Sequence, residues 1–242
     1  MTRKRADVVL VERGFFPSRA RAQEAIAAGL VTIDGQSLRK ASEMVALEAV
    51  ITAEQPHPYV SRGGVKLAAA LDIFAIDPKG CICLDVGAST GGFTDVLLRR
   101  GAAHVYAVDV GHGQLHHTIV QDQRVTNLEG TDARALTSNL VPEKADLLVS
   151  DVSFISLKLV LPAAIALLKP QAALAVLVKP QFEAGRDHVK KGIVRDGAIH
   201  RAVCEDMRAF VTSLGFAVLG IVPSPIEGGD GNREFLLGAR RG

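Results

Sequence analysis

From residue 80 onward, short apolar stretches of the chain alternate with longer segments in which apolar residues recur at helical spacing. The apolar stretches have the length and composition of buried strands, and the segments between them have the length of helices. Such alternation predicts an α/β domain in which a mostly parallel, seven-stranded sheet carries helices on both faces. The predicted strands cover residues 81–86, 104–110, 125–128, 145–150, 172–178, 217–222 and 234–238, and the predicted helices cover 92–100, 157–168 and 200–214.

The first 57 residues follow a different pattern, which predicts a small α+β domain. Its elements are two short helices and a strand that runs into an Asp-Gly hairpin turn, at 6–13, 19–28 and 30–35. Ser18 precedes the second helix and can cap it. Two prolines within residues 55–59 indicate a linker. We therefore expect a domain boundary between residues 57 and 58, with the α/β domain at 58–242.

Composition narrows the class of protein. Apolar residues make up 48% of the chain and the formal net charge is only +2, so nucleic-acid binding would depend on local basic patches. No apolar run reaches membrane-spanning length, and the basic first residues are not followed by the apolar region of a signal peptide. The three cysteines do not have the spacing of a disulfide framework or a zinc site. We expect a cytoplasmic protein with no membrane segment; oligomeric state stays open.

Three histidines close together in the chain, His112, His116 and His117, raise the alternative of a metal site. Histidines in one loop are more often ordinary polar residues than ligands, because a metal site also needs matching ligands elsewhere. We therefore expect no bound metal.

A loop of small residues follows the first strand of the larger domain. It reads Asp85-Val-Gly-Ala-Ser-Thr-Gly-Gly-Phe-Thr94 and leads into the helix predicted at 92–100. Glycines allow the backbone to approach a ligand closely at the positive end of a helix dipole. The loop is similar to a Rossmann nucleotide loop, but Ser89 stands where a second glycine would fall. An ordinary strand-to-helix turn is the alternative. The candidate ligand-binding residues are Asp85, Gly87, Ala88, Ser89, Thr90, Gly91, Gly92 and Phe93.

Acidic residues follow the next strands at the same edge of the sheet. Asp109 lies about twenty residues beyond the loop, where a carboxylate accepts the hydroxyls of a ribose. Asp132 could accept the exocyclic amino group of an adenine, and the neighbouring Val110 and Ala133 complete this candidate site. A loop that holds an amino-acid moiety needs fewer amides than one that holds a pyrophosphate. The pattern suggests S-adenosylmethionine (SAM) as the cofactor, with a dinucleotide as the alternative.

Two lysines are candidates for the chemistry. Lys179 directly follows an apolar strand, so it should be partly desolvated, and Lys66 lies in the first turn of a helix that begins after Gly63 and Gly64. The apolar residues of that helix, Val65, Ala68, Ala69 and Phe74, predict its buried face. Asp151 and Glu234 are the carboxylates that can set the charge of these lysines. A lysine held in this way can accept a proton from a sugar hydroxyl that attacks a methyl sulfonium. The alternative is that both lysines are surface charges.

These motifs together resemble a known family. Lys66, Asp151, Lys179 and Glu234 occur in the order of the Lys-Asp-Lys-Glu tetrad of FtsJ-like ribose 2′-O-methyltransferases. The glycine loop, Ser150-Asp-Val-Ser-Phe-Ile155 and Leu177-Val-Lys-Pro-Gln-Phe-Glu183 are similar to the TlyA family. The resemblance implies a Rossmann-like SAM-dependent methyltransferase domain that acts on the 2′-hydroxyl of cytidines in ribosomal RNA. That family has also carried the label haemolysin, but no spanning or long amphipathic stretch here supports a pore.

The N-terminal domain resembles the RNA-binding domain first seen in ribosomal protein S-four. The resemblance rests on Ser18-Arg-Ala-Arg-Ala-Gln-Glu followed by Gly29-Leu-Val-Thr-Ile-Asp-Gly35. It implies contacts with phosphates, which give affinity without reading sequence, and so a ribosomal RNA partner within ribosomal subunits. The residues implied are Arg3, Lys4, Arg5, Arg19 and Arg21.

Basic residues also occur beside the predicted active site. Arg62 precedes the helix that carries Lys66, and Lys190 and Lys191 lie in the charged, glycine-containing segment 183–196. We expect this segment to be mobile in the free protein and to contact RNA, or to be merely an unstructured loop. Two other functions stay open: methylation of a small molecule, and RNA binding without catalysis.

Overall fold

The computed structural model describes residues 2–228 and 231–242, with their side chains except that of Arg186. The chain forms two compact units, residues 1–58 and 59–242. Among the described residues, no helix is both long enough and apolar enough to cross a membrane.

The first unit is a small α+β domain. In chain order its elements are β1 (Arg3–Arg5), α1 (Ala6–Glu12), α2 (Arg19–Ala27), β2 (Val31–Ile33), β3 (Gln36–Ser37), β4 (Met44–Ala46) and β5 (Ile51–Ala53). β1 pairs with β4, while β2 lies between β3 and β5, and all pairs are antiparallel. Both predicted helices are present, and the Ser18 hydroxyl accepts a hydrogen bond from the Arg21 amide, as a cap should.

The strand β1 was not predicted from the sequence. Its three residues are all basic, so they carry none of the apolar alternation by which a strand is detected. The strand exists because its backbone pairs with β4 and because Ala6, Val9 and Leu10 of the following helix anchor the chain in the core of the unit.

The second unit is an α/β domain. Its helices are α3 (Gly63–Ile73), α4 (Gly92–Arg99), α5 (His117–Val120), α6 (Leu157–Ile165), α7 (Pro180–Glu183) and α8 (Gly197–Ser213). Its strands are β6 (Ile82–Val86), β7 (His104–Asp109), β8 (Val125–Glu129), β9 (Ala145–Ser150), β10 (Leu168–Val178), β11 (Ala217–Pro223) and β12 (Phe235–Arg241). They form one seven-stranded sheet, which confirms the predicted fold class.

The order of the strands determines where a ligand can bind. The sheet runs β11-β12-β10-β9-β6-β7-β8, and only β12 pairs antiparallel with its neighbours. From the central β6 the chain builds β7 and β8 on one side and then crosses to β9 and β10 on the other. The strand order therefore reverses between β6 and β9, and ligands of open α/β sheets bind at the carboxyl ends of strands at such a point.

Helices cover both faces of this sheet. On one face α3 and α4 pack against the strands through Leu67, Leu71, Val96 and Leu97. On the other face α6 and α8 contribute a second apolar cluster, with Leu157, Val160, Leu161, Val203 and Met207. The two cores fix the sheet rigidly, so that the loops at its carboxyl edge are held by both layers.

The buried face of α3 differs from the prediction. Val65, Ala68 and Ala69 are only half-buried, whereas the residues buried along this helix are Gly64, Lys66, Leu67, Ala70 and Leu71. Phe74, directly after the helix, is buried as predicted. The prediction was wrong for Val65, Ala68 and Ala69, because it was based on the apolar residues alone and left out Lys66, which is buried with Leu67, Ala70 and Leu71. The inward face of α3 carries the lysine into the domain.

Candidate active site

The glycine loop is wound tightly against the end of β9. Gly87 and Gly91 have φ angles of +87° and +92°, a region that favours glycine. A Cβ at Gly87 would lie 3.0 Å from the backbone of Asp151, and one at Gly91 would lie 2.9 Å from Leu115. Because these positions have no side chains, the backbone of the loop can line a ligand site directly.

Asp85 lies beneath this loop and is fully buried. The Thr94 hydroxyl donates to its Oδ2 at 2.6 Å, which ties the end of β6 to α4. Burial raises the pKa of Asp85 to about 7, and the charge of Asp151 contributes in the same direction. Asp85 thus supports the loop from below and is not part of a cavity wall.

Two adjoining cavities open at the carboxyl edge of the sheet. The aspartate cavity, of about 580 Å³, is lined by Asp109, Val110, Asp132 and Ala133 together with the loop. The lysine cavity, of about 470 Å³, is lined by the four tetrad residues, by Arg62 and by loop residues that include Ala88, Gly92 and Phe93. The residues that line both cavities are Gly87, Ser89, Asp151, Ser153 and Phe154. Of the predicted site residues in this domain, Asp85, Thr90, Gly91, Lys190 and Lys191 line neither.

The two aspartates of the aspartate cavity are held by the protein itself. Asp109 accepts hydrogen bonds from the amides of Ser89 and Gly111, both at 2.8 Å. Asp132 accepts from the Arg134 amide at 2.9 Å and pairs with the Arg134 guanidinium at 2.6 Å, which lowers the Asp132 pKa to about 2. Both carboxylates are therefore oriented by hydrogen bonds from backbone amides.

The four tetrad residues form two ion pairs. Lys179 Nζ lies 2.6 Å from Asp151 Oδ1, and Lys66 Nζ lies 2.5 Å from Glu234 Oε2. The Lys66 and Glu234 side chains are 6% and 3% exposed, against 9% and 20% for Lys179 and Asp151. Charges so far removed from water persist only when they are paired. The predicted alternative, surface lysines, is contradicted by this burial.

Ser153 lies within the motif Ser150-Asp-Val-Ser-Phe-Ile155, but the sequence did not indicate a role for it. Its hydroxyl accepts a hydrogen bond from Lys179 Nζ at 2.8 Å. Lys179 therefore has two protein partners in the segment that follows β9, Asp151 by an ion pair and Ser153 by a hydrogen bond. A serine in a loop gives no signal of its own, although its position two residues after Asp151 would have placed it at the strand end.

An exposed aromatic side chain at the junction of the cavities was also missed. Phe154 is 92% exposed and has a φ of +65°, which is strained for a residue with a side chain. Its ring centroid lies 5.3 Å from that of Phe182, which lines the lysine cavity. An apolar ring of this size that is exposed to water at the edge of the two cavities offers a surface on which a planar group can stack.

The basic residues predicted to contact RNA are mostly paired. Lys4 pairs with Glu12 at 2.8 Å, and Arg5 and Arg19 both pair with Asp7, while Arg3 is exposed. Arg21 points elsewhere: its side chain is 12% exposed, it donates to the His57 carbonyl at 2.6 Å, and burial lowers the pKa of its guanidinium. Of these residues, Arg21 presents the least surface to a ligand.

The segment 183–196 contains short structure. Residues Arg186–His188 form a 3₁₀ turn, Lys190 and Ile193 form an isolated β-bridge, and Val194 is buried. Lys190 and Lys191 are exposed, so their contact with RNA stays a prediction. Within the part of the chain that the structure describes, no three histidine, cysteine or carboxylate side chains are grouped as a metal site would require.

Comparison with known proteins identifies both units. Residues 59–241 match the family model of FtsJ-like methyltransferases, and residues 4–51 match that of the S4 domain. The family model of the methyltransferases thus covers most of the chain.

Full-length relatives give the same result. The chain is 47% identical over 97% of its length to Bacillus subtilis YqxC, which has the provisional name of an rRNA methyltransferase, and it covers 85% of that protein. It is 45% identical over 98% of its length to the 16S/23S rRNA (cytidine-2′-O)-methyltransferase TlyA of Mycobacterium tuberculosis, covering 90% of it. A solved Streptococcus thermophilus structure named as a hemolysin matches the whole chain with a TM-score of 0.79 and 42% identity, with 89% of that chain covered. The protein is therefore a methyltransferase of the FtsJ-like family, and within it belongs to the TlyA or hemolysin A type.

Proposed function

We propose that this protein transfers the methyl group of SAM to the 2′-hydroxyl of a cytidine in ribosomal RNA. The observation that carries the proposal is the meeting of two buried lysine–carboxylate pairs beside the glycine loop, where the lysine cavity adjoins the aspartate cavity. One cavity has the acceptors that an adenosine needs, and the other has the lysines that a hydroxyl substrate needs.

The residues of the aspartate cavity fit SAM. Gly87 and Ser89 line the cavity where the methionine part would lie, Asp109 is an acceptor for the ribose hydroxyls, and Asp132 is one for the adenine amino group. Val110, which is 73% exposed at this cavity, and Ala133 would contact the faces of the adenine. When bound, SAM supplies a methyl group already activated by its positively charged sulfur.

The lysine cavity accounts for the acceptor chemistry. When the ribose 2′-oxygen takes the methyl group that bound SAM would supply, the hydroxyl has to lose its proton. Lys179 would accept that proton as a neutral amine, after one proton of its ammonium has passed to Asp151, its partner in the ion pair. Asp151 and Ser153 would hold that amine in place, and the ion pair of Lys66 with Glu234 would set the charge in the same cavity. Because the methyl group is already activated, positioning of the hydroxyl supplies most of the acceleration.

Three features favour an RNA substrate over a small molecule. The M. tuberculosis relative is named for 16S and 23S rRNA cytidine methylation, and an S4 domain accompanies the methyltransferase domain. Phe154 adds an exposed ring beside the lysines, on which an unstacked base could lie. The substrate would then be a ribosomal subunit, and the protein would act in the cytoplasm, where ribosomes are assembled.

The proposal is tested with the Lys179→Ala variant and purified ribosomal subunits. We expect methyl transfer to be lost while calorimetry shows unchanged SAM affinity, since Lys179 does not line the aspartate cavity. Mapping of 2′-O-methyl groups on rRNA from cells with and without this protein should identify the cytidine. Wild-type turnover by the variant, or a methyl group mapped to a base atom, would refute the proposal.

A further inference from the structure

Asp7, in the first turn of α1, is a fully buried carboxylate in the N-terminal unit. It accepts five hydrogen bonds from three side chains. Arg5 donates through Nε and Nη2 at 3.0 and 3.1 Å, Arg19 through Nε and Nη2 at 3.2 and 2.8 Å, and Gln23 through Nε2 at 2.7 Å. The carboxylate thus joins β1 to α2 through two arginines.

The arginines on either side of Asp7 are exposed, although their partner is not. The Arg5 and Arg19 side chains are 44% and 55% exposed, while that of Asp7 is 0% exposed. Each guanidinium uses Nε and one terminal nitrogen on Asp7, and the other terminal nitrogen has no part in that contact. The remaining donors of a planar guanidinium suit a phosphate.

Other basic residues of the unit are held differently. Lys4 pairs with Glu12 on the surface, where both side chains are more than 40% exposed. Exposed pairs of this kind hold a long side chain only weakly. Arg5 and Arg19 are instead fixed by a carboxylate that has no contact with water.

We propose, on the basis of the RNA substrate proposed above, that Asp7 is a positioning residue for RNA binding, which fixes Arg5 and Arg19 side by side as one clamp for the phosphodiester backbone. Without Asp7, each arginine would have to be ordered on the RNA, which costs affinity for every side chain immobilised. Asp7 itself is shielded by the arginines and does not touch the RNA.

Charge and positioning predict opposite effects for Asp7→Asn. The substitution removes a negative charge from a protein that binds a polyanion, so electrostatics alone predicts tighter binding. Loss of positioning predicts weaker binding, by roughly tenfold if two arginine side chains must be ordered. The sign of the change therefore distinguishes the two.

The experiment measures the affinity of the full-length protein for purified ribosomal subunits at fixed salt. Glu12→Gln is the matched control, because it also removes one carboxylate from an ion pair of this unit, but an exposed one. We expect Asp7→Asn to bind about tenfold more weakly and Glu12→Gln to bind no more weakly than wild type. In the Arg5→Ala, Arg19→Ala double variant, Asp7→Asn should cause no further loss. SAM affinity should be unchanged throughout.

Three results would overturn the proposal. If the Asp7→Asn variant bound ribosomal subunits as tightly as wild type, or more tightly, the loss of charge would explain the result and no positioning role would remain. An equal further loss in the double variant would show that Asp7 acts on the fold and not through the arginines. If the double variant bound as tightly as wild type, Arg5 and Arg19 would not form a clamp. Methyl transfer to rRNA by the unmodified protein would still support the proposed function.

A second measurement applies if Asp7→Asn does not fold, as melting would show. Arg5→Ala and Arg19→Ala are then compared singly and together. Arginines held as one clamp lose most of their affinity with the first substitution, so the double variant should be little weaker than either single variant. Additive losses would overturn the proposal.

Discussion

Both units of this protein contain ion pairs between a carboxylate and basic side chains, but they differ in which partner is exposed to solvent. In the N-terminal unit, the carboxylate of Asp7 is buried and the arginines on it are about half exposed. In the methyltransferase domain, the lysines themselves are buried, at 6% and 9% exposure, in the wall of a cavity.

The exposed cations are arginines and the buried cations are lysines, and the chemistry of each side chain suits its location. A guanidinium is always charged and can hold a carboxylate with one edge and a phosphate with the other, which suits binding. A lysine amine can exchange its proton, which suits catalysis. Under the two proposals above, ion pairs of the same kind would serve a binding surface in one unit and a reaction site in the other.

The largest effect is expected from Lys179→Arg, which keeps the charge of the site but removes the proton acceptor. We expect kcat to fall by about 10² to 10⁴, the range for loss of general base catalysis, with SAM affinity retained. Single-turnover methylation of ribosomal subunits measures this. Activity within a few-fold of wild type would mean that Lys179 acts by its charge alone and is not the proton acceptor.

The next largest effect is expected from Ser153→Ala, which tests the position of the Lys179 amine rather than its ability to accept a proton. Ser153→Ala removes the hydrogen bond that Lys179 donates to Ser153 and leaves the ion pair with Asp151, and a misplacement of the amine should lower kcat by roughly tenfold to a hundredfold with little change in KM. Ser153→Thr keeps the hydroxyl and should restore most of the rate. Ser213→Ala, which alters an exposed serine at the end of α8, is the control. If Ser153→Ala turns over as wild type does, Asp151 alone positions the lysine.

These predictions depend on side-chain contacts that could not be predicted from the sequence. Local spacing in the sequence was enough to predict the seven strands of the methyltransferase domain, the glycine loop and the acidic residues at the strand ends. The pairing of Lys66 with Glu234 joins residues 168 positions apart and depends on the strand order that brings α3 beside β12. The same holds for Asp7: its partners Arg5 and Arg19 were singled out by the sequence, but nothing local indicated the carboxylate between them.

Two fully buried aspartates, Asp7 and Asp85, have pKa values shifted in opposite directions, and this difference predicts a smaller effect, on stability. Hydrogen bonds from Arg5, then from Arg19 and Gln23, hold the pKa of Asp7 well below its usual range, whereas burial raises the pKa of Asp85 to about 7. A raised carboxyl pKa costs stability as pH rises from the unfolded value, about 4, to the folded value, about 7.

Asp85→Asn should therefore stabilise the protein more at pH 8 than at pH 5. Asparagine has no charge to bury and can still accept from Thr94, so a gain of several degrees in melting temperature is expected at pH 8 and a clearly smaller gain at pH 5, which is only about one unit above the unfolded pKa. Thermal melts of both proteins at the two pH values measure the difference. A gain that is equal at both pH values would show that the charge of Asp85 is not responsible.

The smallest effect is expected from Arg19→Lys, which keeps the charge of the N-terminal unit but removes the planar fork. A lysine can pair with Asp7 or with a phosphate, but it has no second edge with which to hold both in fixed geometry. We expect binding to ribosomal subunits to weaken by roughly threefold, while the dependence of affinity on salt stays the same because the number of charges is unchanged. Titrations at two salt concentrations measure both quantities. Affinity equal to that of wild type would mean that charge alone suffices at this position, and the contrast between a binding arginine and a reacting lysine would then hold only for the methyltransferase domain.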